Sequence, residues 1–215
     1  MSINHLMNIK VRNIMISILK KMFRSKNDKC VIIVSGLPRS GTSMMMQILE
    51  KGGLEIVTDN IRKADKDNPK GYYEFEKVKE IENDTSWLSR CRGKVVKMVS
   101  MLLFELPDNR KYKIVFMERN MDEILASQKK MLERLKKEDG EDDETIRDGY
   151  TKHLRKIKDW LKEKKNFEVL YVSYNDIIKE PHSYITDLNK FFDNKLDPDE
   201  MLKVVDRSLY RQRKG

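Results

Sequence analysis

The chain has 215 residues, 39% hydrophobic and 37% charged, which suits a globular domain with one substantial core; its two cysteines exclude a disulfide framework or cysteine-spaced metal site. The 44 lysines and arginines exceed the 35 acidic residues by a formal +9, favouring anionic ligands, acidic substrates, nucleic acid or a membrane surface without choosing among them.

The first pattern in chain order lies in residues 1–29. Leu6, Met7, Val11, Ile14, Ile18, Leu19 and Met22 recur at three- and four-residue steps, with Lys10, Arg12, Lys20, Lys21, Arg24 and Lys26 between them. This predicts a basic amphipathic helix. Charges interrupt it too often for a membrane span, and no small-residue cleavage site follows an apolar core. Two roles stay open: peripheral contact with an anionic membrane through residues 1–24, or packing of the stripe on the domain or on a second subunit. Residues 30–215 are expected to form a separate α/β domain, and the reducing cytoplasm is the expected compartment.

Val31 to Ser43 reads VIIVSGLPRSGTS, a β-branched run, a Gly/Pro/Ser turn and a helix start. Such a turn is a cradle for a phosphate: Gly36 and Gly41 let backbone amides approach an anion, the hydroxyls of Thr42 and Ser43 add donors, and the helix points its positive end at the same spot. The candidate anion-binding residues are Pro38, Arg39, Ser40, Gly41, Thr42 and Ser43. The spacing nearly matches the nucleotide-binding P-loop, but Thr42 stands where the lysine belongs. Arg39 supplies instead a guanidinium fork suited to a tetrahedral oxyanion.

Further strands are predicted near Lys94–Val99, Lys113–Glu118 and Val169–Ser173. Helices are predicted near Thr42–Lys51, Phe75–Ser89, Asp122–Lys137, Thr145–Lys164 and His182–Phe192. The alternation predicts an α/β fold with a mainly parallel sheet flanked by helices. KKEDGEDDE, Lys136 to Glu144, reads as an acidic loop, and Tyr150, Leu154, Ile157 and Leu161 form a stripe expected to contact the core. His5, His153 and His182 fall in no metal or triad pattern and read as surface or helix-face residues.

GLPRSGTS resembles the 5′-phosphosulfate loop of sulfotransferases that use 3′-phosphoadenosine 5′-phosphosulfate (PAPS), in the branch with PRSGT. FMERNMDEILAS, Phe116 to Ser127, resembles the family's 3′-phosphate element, which implies phosphate contacts for Arg119 and Ser127. LYVSYNDIIKEP, Leu170 to Pro181, resembles the later Tyr-Glu-Asp-Leu strand end, with Asn175 in place of the usual Glu, and implies a position near the adenine for Tyr174. RQRKG at the end of the chain resembles the Arg-Lys-Gly clamp on the 3′-phosphate, implying Arg211, Arg213 and Lys214. The ordered set covers about residues 31–215.

The resemblance implies a P-loop-like sulfotransferase fold and transfer of a sulfuryl group from PAPS to a hydroxyl or amine of a small-molecule, glycan or lipid acceptor. No metal is implied. Arg39 with the amides of residues 40–43 would hold the donor and stabilise the leaving phosphate. Lys97 in VVKMVS matches the lysine of the Lys-Thr-His strand, without the histidine. NPKGYYEFE, Asn68 to Glu76, resembles the segment where the glycan-modifying branch keeps a glutamate base. Glu74 is therefore the candidate base and Glu76 the alternate. Two other classes fit parts of the chain. A P-loop kinase or NTPase is disfavoured by the missing lysine and by the lack of an acidic strand end for Mg²⁺. A noncatalytic basic module for nucleic acid or membrane is disfavoured by the absence of a stacking motif, and no nucleic acid is expected.

Overall fold

A run such as Val31–Val34 has no polar position, so only a strand covered on both faces buries it. In the structure, a computed structural model that describes residues 30–59, 61, 71–135 and 142–205, this run lies in β1 (Cys30–Gly36), buried at all 7 positions. It is the middle of a five-stranded sheet in the order β2-β3-β1-β4-β5, where β2 is Ile56–Val57, β3 Val95–Val99, β4 Lys111–Glu118 and β5 Phe167–Ser173. Every neighbouring pair is parallel. The helices are α1 (Thr42–Lys51), α2 (Met121–Arg134), α3 (Asp143–Glu163), α4 (Tyr174–Lys179), α5 (Pro181–Phe191) and α6 (Pro198–Leu202).

Side chains alternate across the sheet and build two cores. Ile32 and Val34 pack with Met45, Ile48 and Leu49 of α1 and with Ile185 and Leu188 of α5. Val31 and Ile33 pack on the other face with Phe116 and with Ile157 and Leu161 of α3. The fold is thus α/β, a parallel sheet flanked by helices. The strand order reverses at β1, and parallel sheets of this kind collect ligands outside the carboxyl ends at such a point. Register aligns those ends: Gly36 lies opposite Val99 and Met117, and Glu118 opposite Ser173. The loop after β1, Ser100, Arg119 and Tyr174 therefore leave the sheet at one edge.

Two expectations need correction. The helix expected over Phe75–Ser89 is two short 3₁₀ segments, Glu76–Glu80 and Ser86–Cys91. Between them Asp84 turns the chain by accepting the Ser86 amide at 2.8 Å, a local bond that competes with helix. The acidic loop ends early, because Asp142 caps α3 by accepting the amides of Glu144 and Thr145, and Asp143 and Glu144 lie inside the helix. His153 lies on a face of α3 as expected, half-buried, its Nε2 2.8 Å from Ser100 Oγ. The amphipathic segment 1–29 and residues 136–141 of the acidic loop lie outside the described residues.

Candidate active site

The loop after β1 closes because two glycines take conformations that no other residue tolerates there. Gly36 has φ +151°, and a Cβ on it would sit 2.5 Å from Ser40 Oγ and 2.6 Å from the Met117 carbonyl. Gly41 has φ +96°, and a Cβ there would lie 2.3 Å from Tyr174 Cδ2. Gly41 opens α1 with no side-chain cap and no acidic residue in the first turn. By contrast, α2 is capped by Asn120 and α3 by Asp142, each with two acids in its first turn. With neither a side-chain cap nor an acid in its first turn, α1 turns the positive end of its dipole toward the loop, where an external anion is favoured. Inside the turn, Ser40 Oγ is buried with no hydrogen-bond partner among the described residues. Pro38 and Arg39 form the half-buried crest of the turn and Thr42 and Ser43 its helix end.

Arg39 is held at φ +70°, a left-handed conformation that costs a side-chain-bearing residue about 1–2 kcal/mol. Its carbonyl accepts Nη1 of Arg119 at 3.0 Å, and its own Nε donates to Ser127 Oγ at 2.9 Å. Arg119 leaves the end of β4 almost fully buried, its guanidinium 4.4 Å from the centre of the Tyr174 ring. Burial pushes the Tyr174 hydroxyl up, with Arg119 opposing. Arg39, Arg119, Ser127 and Tyr174, expected from separate segments, thus form one contiguous group.

Two residues absent from that expectation complete it. Glu123, buried in the first turn of α2, accepts Arg119 Nε at 3.0 Å on Oε2 and Asn175 Nδ2 at 2.9 Å on Oε1. The i, i+4 spacing of Arg119 and Glu123 is the sequence signal that identifies this pair.

Lys97 on β3 reaches the same loop from the other side. Its Nζ donates to Ser43 Oγ at 3.2 Å and to the Tyr72 carbonyl at 2.7 Å, bringing back to the loop the ammonium that Thr42 removed from it. The segment carrying Glu74 is pinned by its backbone. The Glu74 carbonyl accepts Thr58 Oγ1 at 2.9 Å and the Asp59 amide at 3.2 Å, while the Glu76 amide donates to Asp59 Oδ2 at 2.6 Å. The Glu76 amide, with the Ile61 amide 3.0 Å from Oδ1, holds the Asp59 carboxyl below its usual range. Next door, the Tyr73 hydroxyl donates to Glu50 Oε2 at 2.9 Å. The Glu76 carboxylate accepts Lys79 Nζ at 2.8 Å on the surface. Asn68 to Lys70, and Arg211, Arg213 and Lys214 of the expected clamp, lie outside the described residues. Among the described residues no group of three or more His, Cys, Asp or Glu is arranged for a metal, and no helix is long and apolar enough to cross a membrane.

The sulfotransferase domain family matches residues 29–215, and the chain belongs to that family. Among solved structures, a sulfotransferase domain from the curacin biosynthetic pathway is 15% identical, aligning over 82% of this chain and 78% of its own with a TM-score of 0.49. No curated protein matches the chain.

Proposed function

We propose that this member of the sulfotransferase domain family takes its sulfuryl group from PAPS and delivers it to a hydroxyl or amine of a small-molecule, glycan or lipid acceptor. The observation that carries the reading is the direct joining of two anion-binding groups: Arg39 in the loop donates to Ser127 at 2.9 Å and accepts Arg119 at 3.0 Å. A ligand with charges at both the 5′ and 3′ positions of one ribose suits such a pair. The donor set fits: uncapped amides at α1, the orphan Ser40 hydroxyl, and three cations, Arg39, Arg119 and Lys97.

When bound, PAPS supplies the sulfuryl group and leaves as the bisphosphate. The Ser40 amide closes the turn on the Leu37 carbonyl at 3.2 Å, so Arg39 and the amides of residues 41–43 hold the 5′ end, and Arg39 with Lys97 faces charge that builds on the leaving phosphate. Arg119 and Ser127 hold the 3′-phosphate, with Arg211, Arg213 and Lys214 as further contacts. Tyr174 supports Arg119 from beneath and would lie near the adenine of a bound donor. Glu74 takes the proton of the acceptor, and the backbone bonds to Thr58 and Asp59 keep it in place. With its cations supplied by side chains, the site operates without a metal. The protein works in the cytoplasm, with residues 1–24 either in peripheral contact with an anionic membrane or packed on the domain or on a second copy.

Adenosine 3′,5′-bisphosphate should protect the protein against heat in the presence of EDTA, and ATP with Mg²⁺ should do so far less, since ATP leaves the donors of Arg119 and Ser127 unmatched. At about 100 times the dissociation constant, binding to the folded state alone adds roughly 2.7 kcal/mol, enough to move a melting curve visibly. Protection by Mg·ATP alone would make the site kinase-like, and protection by neither would leave a binding module.

A further inference from the structure

Asn175 sits at the start of α4 and ties together the two sides of Arg119. Its Oδ1 accepts the Asn120 amide at 3.0 Å, and its Nδ2 donates to Glu123 Oε1 at 2.9 Å. Asn120 is the residue after Arg119 and also the cap of α2, accepting the amides of Asp122 at 2.9 Å and Glu123 at 3.4 Å. Glu123 in turn holds Arg119 Nε at 3.0 Å on its second oxygen. Main chain on one side of the guanidinium and carboxylate on the other are therefore registered to a single side chain.

An amide is the group this position requires. One end must accept from a backbone N–H and the other must donate to a buried carboxylate; at neutral pH an ionised acid offers no donor, and an apolar residue offers neither function. Glu123 takes two of its acceptor positions to the network, so Arg119 is fixed through Nε and Nη1 with the Tyr174 ring beneath it. The guanidinium has five donors, and the described residues take two of them. The edge that remains is held in one orientation, as two-point recognition of a phosphate demands.

We infer that Asn175 is the positioning residue of the second anion subsite: acting through Glu123, it fixes Arg119 in the orientation that recognises a 3′-phosphate. This rests on the reading of the site as one for adenosine 3′,5′-bisphosphate, and it concerns how strongly the 3′-phosphate is discriminated. Asn175 carries no charge, so its replacement by an apolar residue of similar size alters geometry without altering the field at the anion.

The test compares dissociation constants for adenosine 3′,5′-bisphosphate and adenosine 5′-phosphate, measured by calorimetry on the full chain and on Asn175→Leu. The full chain should prefer the bisphosphate. Asn175→Leu should lose about tenfold of that preference, the equivalent of one well-oriented hydrogen bond, while binding adenosine 5′-phosphate as before. A folded Asn175→Leu with the original preference overturns the inference. Equal loss for both ligands also overturns it, since that marks general loosening. If Asn175→Leu does not fold, Asn175→Ser serves: it is uncharged and too short to join the Asn120 amide to Glu123, and it should lose the same preference. No preference in the unmodified chain would sink the 3′-phosphate reading itself, an outcome visible before any variant is made.

Discussion

Glu74 and Glu76 stand two residues apart, and their partners separate them. The Glu76 carboxylate is paired with Lys79 on an exposed face, with side chains 43% and 64% accessible, a bond of about 0–1 kcal/mol. Glu74 sits on the stretch whose neighbour, Tyr72, accepts Lys97 Nζ at 2.7 Å. Glu74→Gln should lower kcat by about 10²- to 10⁴-fold and leave bisphosphate affinity unchanged, whereas Glu76→Gln should change neither by much. A large kcat loss in Glu76→Gln alone would move the base two residues along, and no loss in either would pass the role to Lys97. Parts of this site were legible in single residues. The glycines around Arg39 announce the turn that carries it, whereas Arg119 and Ser127 were legible through the resemblance of Phe116 to Ser127 to the family's 3′-phosphate element. The contact of Lys97 with Ser43 spans 54 residues and the one with Tyr72 spans 25, and no local pattern encodes either. Asn175 departs from the usual Glu of the resembled strand end, but its link to Arg119 runs through the two Glu123 oxygens, which no local pattern encodes.

Among the elements, α1 runs over Thr42–Lys51 as predicted, because Gly41 and Gly52 punctuate both ends. Phe75–Ser89 misled because Val78, Ile81, Trp87 and Leu88 all reach the core at helix-like steps, yet two 3₁₀ segments joined by the Asp84 turn deliver them there. α4 was hidden for the opposite reason. β5 passes straight into it with Ser173 as the cap and no Gly or Pro between, so a strand end and a helix start share the same residues. The junction of α3 with the segment after β3 yields a prediction. His153 faces Ser100 and the Phe104 ring, and burial, aided by Lys156, lowers its pKa below the ordinary value of about 6.5. A histidine held neutral in the folded state gives a stability contribution that is complete above the unfolded pKa. As pH falls below about 6.5 the unfolded chain takes up the proton first, and this contribution is lost down to the folded pKa. Melting temperature should therefore decline as pH falls below about 7, and His153→Gln should flatten that decline. An identical pH profile in the folded variant would show that His153 is not the group responsible.

Over the whole molecule the formal charge of +9 is distributed unevenly. Residues 1–29 carry seven lysines and arginines and one aspartate, hence +6, which leaves +3 for residues 30–215. The site's cations therefore act within a domain of modest net charge, where Glu123 beside Arg119 limits the local excess. The strong charge belongs to the segment whose apolar residues recur at helical steps. If that segment serves a membrane, its binding combines burial of an apolar stripe with attraction to anionic lipid, and the second part weakens as salt shortens the Debye length to about 8 Å at physiological ionic strength. Deleting residues 1–24 should then abolish co-sedimentation with phosphatidylserine vesicles, while the full chain should be released progressively by added salt. Bisphosphate binding and transfer should be unchanged, because Arg39, Arg119, Ser127, Lys97 and Glu74 all lie beyond the deletion. Both protein forms should be measured side by side, with neutral vesicles as the control. A truncated chain that aggregates, or that melts several degrees lower, would instead assign the stripe to packing on the domain or on a second copy, and binding of the truncated chain to the vesicles would place the membrane contact elsewhere.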